Sequence, residues 1–410
     1  MGENIGTQIE LTVDKIAHGG IAVGRLDGRV VFVSDAIPGE TVRARVSDDR
    51  KKSFWRADTV EVLTASEHRR PHVWEAASLD RDPRSRVGGA EFGHIALEHQ
   101  RELKREVLAE SLQRMAGIDS DVQVEALPGD DAANGLGWRT RIRLHVDDQG
   151  RIGPMAARSH TVIPVTDAPL ATAAVQAITP FAERFHGLGT VDVLAPSVGE
   201  PRLVIGEQKP TVIAELVGDR RFQLDDTGFW QVHRAAAEAL TRAVQEAIDE
   251  TRFDARADNL DLYGGVGLLA AAVADRFGAA TRITSVESDE RATDHASENL
   301  AEWLGASAES GRVDRWLRAL ESSASAGDRE RLRAATVVLD PPRSGAGTEV
   351  MAILGSLAPA QLVYVACDPV ALARDVALAA QSGYRLARIR AFDLFPHTHH
   401  VEAVATLVRD

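Results

Sequence analysis

Leu260-Asp-Leu-Tyr-Gly-Gly-Val-Gly-Leu-Leu-Ala-Ala-Ala-Val-Ala-Asp-Arg276 is the stretch on which the fold turns. A short apolar strand, Leu260 to Tyr263, runs into glycines and then into an alanine-rich helix, Gly267 to Arg276. Glycines there let a ligand come close to the backbone, and the helix N-terminus adds a favourable dipole. Glu287 ends the next strand, Ile283 to Glu287, about 20 residues further on, where an acid accepts hydrogen bonds from ribose hydroxyls.

Outward from this loop, strands rich in branched residues alternate with helices. Val337 to Asp340 and Leu362 to Cys367 read as further strands, and Arg291 to Leu304 and Val370 to Gln381 as helices. That alternation predicts an α/β domain, a doubly wound parallel sheet with helices on both faces. The last two strands, Arg385 to Phe392 and Val401 to Val408, are joined by a short connection and form a terminal antiparallel hairpin. Gly265-x-Gly267-x-x-Ala270 also fits a dinucleotide fingerprint, so the loop alone leaves NAD and S-adenosylmethionine open. The terminal hairpin and Asp340-Pro341-Pro342-Arg343 at a strand end are not expected of an NAD domain and favour S-adenosylmethionine.

The N-terminal stretch has a different rhythm. Glu10 to Ile16, Ile21 to Leu26, Arg29 to Ser34, Glu40 to Ser47 and Phe54 to Leu63 read as five short strands, with Asp27-Gly28 a two-residue hairpin signal. Such a set predicts a small closed barrel of OB type, a fold that commonly binds nucleic acid. Between barrel and sheet, an α+β region carries a helix from Leu97 to Met115 and strands at Arg139 to Val146, His160 to Val165, Arg202 to Ile205 and Val212 to Val217. Three domains are therefore expected: 1–66, 67–226 and 227–410.

The 410 residues carry a net charge of −14, which argues mildly against a nucleic-acid partner, so local clusters matter more than the sum. Arg43, Arg45, Arg50, Lys51, Lys52 and Arg56 surround Phe54 and Trp55; Trp138, Arg139, Arg141, Arg143, His145 and Arg151 form a second group. Each mixes cations with aromatics, as single-stranded RNA sites do, although a solvated strand face has the same composition. No apolar run is long enough to span a membrane and no secretory signal is present, so a cytoplasmic chain is expected, acting as a monomer. The single cysteine, Cys367, forms neither an intrachain disulfide nor a multi-cysteine metal site.

Five segments in the C-terminal part resemble RNA uracil-C5 methyltransferases of the TrmA/RumA type, in the same order. They are Gly228-Phe-Trp-Gln-Val232, Asp261-Leu-Tyr-Gly-Gly265, Val338-Leu-Asp-Pro-Pro-Arg343, Tyr364-Val-Ala-Cys-Asp-Pro369 and Asp393-Leu-Phe-Pro-His-Thr-His-His-Val-Glu402. The N-terminal barrel resembles a TRAM domain, an RNA-binding module. The resemblance implies a Rossmann-like class I methyltransferase domain that methylates C5 of a uridine in ribosomal RNA, with transfer RNA the second choice. It implies Cys367 as the nucleophile that adds to C6 and Glu402 as the base that removes the C5 proton. Gln231, Tyr263, Gly265, Glu287 and Asp340 would contact S-adenosylmethionine. The target base would be flipped out or already unpaired.

The chain departs from the family where many relatives hold an iron–sulfur cluster. Val87 and Ala90 stand at ligand positions, Ala168-Pro169-Leu170 covers another, and neither valine nor alanine ligates iron. Apolar packing is expected to hold this lobe instead. No metal is expected at His397, His399 and His400, which lack helical spacing and are read as a polar loop lining the base pocket. Gly264 replaces a frequent cysteine, a change read as neutral. Two other readings stay open: a non-catalytic RNA-binding protein that keeps the fold, and a methyltransferase acting on another atom.

Overall fold

A computed structural model describes residues 4–409. Strands β1 (Gln8–Ala17), β2 (Ile21–Leu26), β3 (Arg29–Ser34), β4 (Thr41–Asp48) and β5 (Phe54–Thr64) close into a barrel of order β1-β2-β3-β5-β4. Alternate residues point inward: Leu11 and Val13, Val31 and Val33, and Val42, Ala44 and Val46 are buried. Asp27 and Gly28 both have positive φ, as the two-residue hairpin between β2 and β3 requires.

The chain then forms helix α1 (Leu97–Ala116) and strands β6 (Val124–Ala126), β7 (Arg141–Val146) and β8 (Ile152–Gly153), followed by helix α2 (Ala173–Ile178). Strands β9 (Thr190–Leu194) and β10 (Arg202–Ile205) complete a four-stranded sheet of order β10-β9-β7-β8. Strands β11 (Val212–Val217) and β12 (Arg220–Asp225) form a separate hairpin. The strand expected over His160 to Val165 is not formed; only Val162 makes an isolated bridge, to Met155. Pro164 has no N–H to donate to a ladder there.

The C-terminal part contains α3 (Ala236–Ala247), β13 (Asn259–Leu262), α4 (Leu268–Phe277), β14 (Ile283–Glu287), α5 (Glu290–Asn299), β15 (Ala306–Ser310), α6 (Val313–Ser323) and α7 (Ala326–Arg333). It continues through β16 (Thr336–Leu339), α8 (Gly347–Leu357), β17 (Gln361–Ala366), α9 (Pro369–Gln381), β18 (Tyr384–Asp393) and β19 (Glu402–Arg409). The eight-stranded sheet runs β15-β14-β13-β16-β17-β19-β18-β6, with β19 antiparallel to both neighbours. This is the expected doubly wound sheet with its terminal hairpin. β6, from within 67–226, forms its far edge, pairing Ala391 to Asp393 with Val124 to Ala126.

The sheet is buried on both faces, which is why β16 and β17 read as unbroken apolar runs. Val337, Leu339, Leu362 and Tyr364 pack into one core layer, Val338, Val363 and Val365 into the other. The hairpin is held to α1 by a fully buried ion pair: Lys104 Nζ donates to Asp393 Oδ1 at 2.5 Å and to the Phe395 carbonyl at 3.0 Å. Lys104→Met leaves the Asp393 carboxylate buried without its cation and is expected to lower unfolding free energy by about 3–5 kcal/mol. Chemical unfolding of that variant beside a Lys104→Met/Asp393→Leu double variant checks it, because the double replacement removes both charges and should recover much of the loss. A single variant as stable as the parent would contradict this account. Among the described residues, no helix is long and apolar enough to cross a membrane.

Candidate active site

The loops that leave β13, β14, β16 and β17 all emerge at the carboxyl edge of the sheet. β13 and β16 are neighbours there although the chain leaves them in opposite directions, and α/β sheets bind ligands at such a point. Tyr263 and Gly265 follow β13, Glu287 ends β14, Asp340 follows β16 and Cys367 follows β17.

The β13 loop is tightly built. Asp261 is buried, and its Oδ2 accepts from Ser285 Oγ at 3.0 Å and from the Ala270 N–H at 3.1 Å. Burial pushes its carboxyl up to about 7 against those two bonds, and its Oδ1 has no partner among the described residues. Gly264 is not a neutral replacement here: a Cβ would lie 1.9 Å from Ser285 Oγ and 2.7 Å from Asp261 Oδ2, so a cysteine needs both to move. Tyr263 sits at φ +62°, a strained backbone for a residue with a side chain. The Gly265 N–H donates to Glu287 Oε2 at 3.1 Å, and the space before Gly265 is open. An orphaned buried acid oxygen beside an open, glycine-lined turn fits a polar nucleoside ligand. Gln231 lies on the segment after Trp230 and is half-buried; the neighbouring Val232 carbonyl accepts from the Thr140 N–H and hydroxyl, which ties that segment to the chain just before β7.

Cys367 stands between the end of β17 and the start of α9. Asp368 caps that helix, accepting from the Val370 and Ala371 N–H groups at 3.0 and 2.9 Å. A helix N-terminus favours a thiolate, but the opposing effects are larger. Burial, then the carboxyls of Glu402 and Asp340, push the Cys367 thiol up to about 12, with Arg343 opposing them. Glu402 opens β19, which starts one residue after the Val401 expected from sequence, and is buried. Burial, then Asp340, hold its carboxyl well above the ordinary carboxylate range. Burial, and after it Asp261, raise Asp340 to about 7. Cys367, Glu402 and Asp340 are thus close enough to act on one another, and Arg343 is the cation that opposes their mutual repulsion.

A cavity of about 120 Å³ opens onto Cys367, walled by Phe92, Lys104, Arg343, His399 and His400 and by the β1–β2 turn of the barrel. From that turn His18 Nε2 reaches Asp368 Oδ2 at 2.7 Å, and this bond raises the imidazole's affinity for its proton. Gly20, at φ +70°, leaves no room for a side chain: a Cβ would stand 2.5 Å from His399 Cβ. His18 and Gly20 carried no sequence signal for this role, being more than 340 residues from Cys367. Arg343 carried one, its place directly after Asp340-Pro341-Pro342.

The histidine loop divides. His399 and His400 line the cavity, whereas His397 is tied away from it, its N–H donating to Gln100 Oε1 and its Nε2 lying 2.8 Å from the Asn134 carbonyl. Burial, then His399 and Arg343, push His400 down to about 3, so it is a neutral ring. Among the described residues, no group of three or more His, Cys, Asp or Glu is placed to hold a metal ion.

The two basic clusters are largely spent within the molecule. Arg43 pairs with Glu10 and Glu61, Arg45 with Asp82, Arg50 with Asp48, Arg141 with Glu215, Arg143 with Asp192 and Arg151 with Asp147. Trp138 is fully buried against His233 and cannot receive a base. At the positions where relatives carry cluster ligands, Val87 and Ala90 pack with Trp74, Trp138, Ile163 and Leu170, and Ala168 with Leu144 and Ile152.

Comparison with known proteins finds two family models that match parts of the chain. Residues 214–410 match the family model described as tRNA (uracil-5-)-methyltransferase, and residues 2–54 match the TRAM domain. An RNA methyltransferase of Streptomyces avermitilis, itself uncharacterized, is 36% identical, the alignment covering 98% of each chain. One from Bifidobacterium longum is 35% identical over 98% of this chain and 97% of its own. The crystal structure of the Pyrococcus abyssi tRNA (uracil-54, C5)-methyltransferase in complex with S-adenosyl-L-homocysteine shares the fold. It aligns over 98% of this chain and 100% of that one, with a TM-score of 0.68 and 22% identity.

Proposed function

We propose, on the premise that this chain belongs to the RNA (uracil-5-)-methyltransferase family and uses S-adenosylmethionine, that it methylates C5 of a uridine in structured RNA through Cys367 and Glu402. The observation that carries the reading is the meeting of Cys367, Glu402, Asp340 and Arg343 at one edge of the sheet, beside the open turn at Gly265. Uracil C5 is a weak carbon nucleophile. When Cys367 Sγ, shedding its proton, bonds to C6, the C5–C6 π electrons move toward O4 and leave C5 as an enolate carbon. S-adenosylmethionine supplies the electrophilic methyl group that C5 then takes. Glu402 removes the C5 proton, the C5–C6 double bond re-forms, and the C6–Sγ electron pair returns to sulfur.

Asp261, Tyr263, Gly265 and Glu287 are the residues proposed to hold the methyl donor's nucleoside, with Gln231 and Asp340 toward its reactive end. The neutral His400 and the half-buried His399 line the face on which a flipped base would rest. Ribosomal RNA is the substrate proposed first and transfer RNA second, with the chain acting as a monomer. The test is mass spectrometry of nucleosides after incubation with S-adenosylmethionine and unmodified ribosomal or transfer RNA transcripts. 5-Methyluridine on one transcript and not the other assigns the substrate; a different methylated nucleoside refutes the uridine assignment.

A further inference from the structure

A second opening, about 390 Å³, lies in the middle region on the far side of the wall that closes the cysteine cavity. Its size falls within the roughly 300–1,000 Å³ of small-ligand sites. Ile142, Leu144 and Met155 give it an apolar floor. The wall between the two openings is one side-chain pair thick: Glu91 lines the second opening, His399 lines the first, and the two approach to 3.5 Å.

The charges around it are unequal. Arg143 is matched by Asp192 in a two-pronged pair, and Arg158 by Asp58. Arg139 is different. Its Nε donates to the Arg141 carbonyl at 2.9 Å, and among the described residues no acid lies within ion-pairing distance of its terminal nitrogens. Arg343 makes no ion pair among the described residues; it acts on Cys367 and Glu402 through its charge and meets the neutral His400 at 3.3 Å. The two guanidiniums feel each other's charge, and that repulsion adds to the burial that holds Arg139 below its ordinary value. Glu91 acts on Arg139 in the opposite sense, and its carboxylate also accepts from the Gly89 N–H and lies 3.5 Å from His399 Nδ1. Arg139 on one opening and Arg343 on the other, neither ion-paired among the described residues, suit an anion that spans the two. A phosphodiester is such an anion, and guanidinium forks are suited to it.

We propose that this opening holds the nucleotide adjoining the target uridine, with the phosphodiester that links the two lying between Arg139 and Arg343. The inference rests on the RNA reading above and assigns a site that reading does not use. The apolar floor receives the neighbouring base by its face, a contact tolerant of base identity, while Arg139 fixes the strand's register.

The test uses the full chain and a fluorescein-labelled decauridylate, with affinity followed by anisotropy over a range of salt concentrations. Arg139→Gln is expected to weaken binding about tenfold and to flatten the salt dependence by about 0.7 in slope, the loss of one phosphate contact on a single strand. Ala157→Trp, an exposed position on the rim, fills the opening without touching the core and is expected to weaken binding severalfold with the slope kept. Retained S-adenosylmethionine binding in both variants shows that the fold is intact. Wild-type affinity and slope in both variants, or no decauridylate binding by the parent, overturns the proposal. 5-Methyluridine formation is scored separately: a parent that makes none refutes the uridine reading, while the opening is still judged by anisotropy.

Discussion

Cys367→Ala is expected to abolish 5-methyluridine formation, with a fall of at least about 10⁴-fold, because Cys367 is the one thiol in the sequence. The replacement removes a half-buried thiol and few contacts, so the fold and S-adenosylmethionine binding should persist. Nucleoside mass spectrometry on the parent and variant, with donor binding measured in parallel, checks this. Turnover retained in the alanine variant would transfer the enzyme to the class that methylates an exocyclic atom without a thiol. The same residue sets the pH dependence. The active form is the thiolate, and burial with Glu402 and Asp340 raises the thiol to about 12, so the free enzyme is protonated at neutral pH. Glu402, also held protonated by its surroundings, must likewise lose its proton before acting as a base. Both requirements point the same way, and kcat/KM should climb through pH 6 to 9 with no falling limb. A profile flat across that range would mean that the thiolate is already formed before RNA binds.

Glu402→Gln is the second large effect. Addition at C6 and methyl transfer do not need Glu402, but removal of the C5 proton does. Turnover should fall by roughly 10²–10⁴-fold, the usual share of a positioned base. The stalled species is a protein–RNA adduct through the C6–Sγ bond, which survives denaturing electrophoresis. Its accumulation in Glu402→Gln, and its absence when Cys367→Ala is added, distinguishes a missing base from a damaged pocket. Glutamine keeps the size and suits a site that already holds the carboxyl in its neutral form, so the buried position should tolerate it. A variant equally slow but free of adduct would place the role of Glu402 before addition.

Much of this was legible in the sequence, for identifiable reasons. Strand β3 and the strands at Arg202–Ile205 and Val212–Val217 form where branched residues alternate between turn signals, and α1 begins at the expected Leu97. The methyltransferase sheet announced itself because buried parallel strands must be apolar on both faces. His160 to Val165 failed as a strand because composition does not count donors, and Pro164 supplies none. The basic clusters misled for a related reason: sequence lists Arg43 or Arg143 without the acids that the barrel and the β9 strand bring against them.

What the sequence determined by itself is local and chemical: a glycine turn between strand and helix, a cysteine before a helix cap, a carboxylate at the head of the last strand, a middle lobe with valine and alanine at Val87, Ala90 and Ala168. These follow from propensity, periodicity and side-chain reactivity, which act over a few residues. Tertiary structure alone decided which groups share a pocket. It set His18 of the barrel on Asp368, joined Lys104 to Asp393, raised the Cys367 thiol by burying it near acids, and left Arg139 without an ion pair among the described residues. The reason is physical: burial and Coulomb interaction depend on distance through space, and strand order in the sheet brings together residues that chain order keeps hundreds of positions apart.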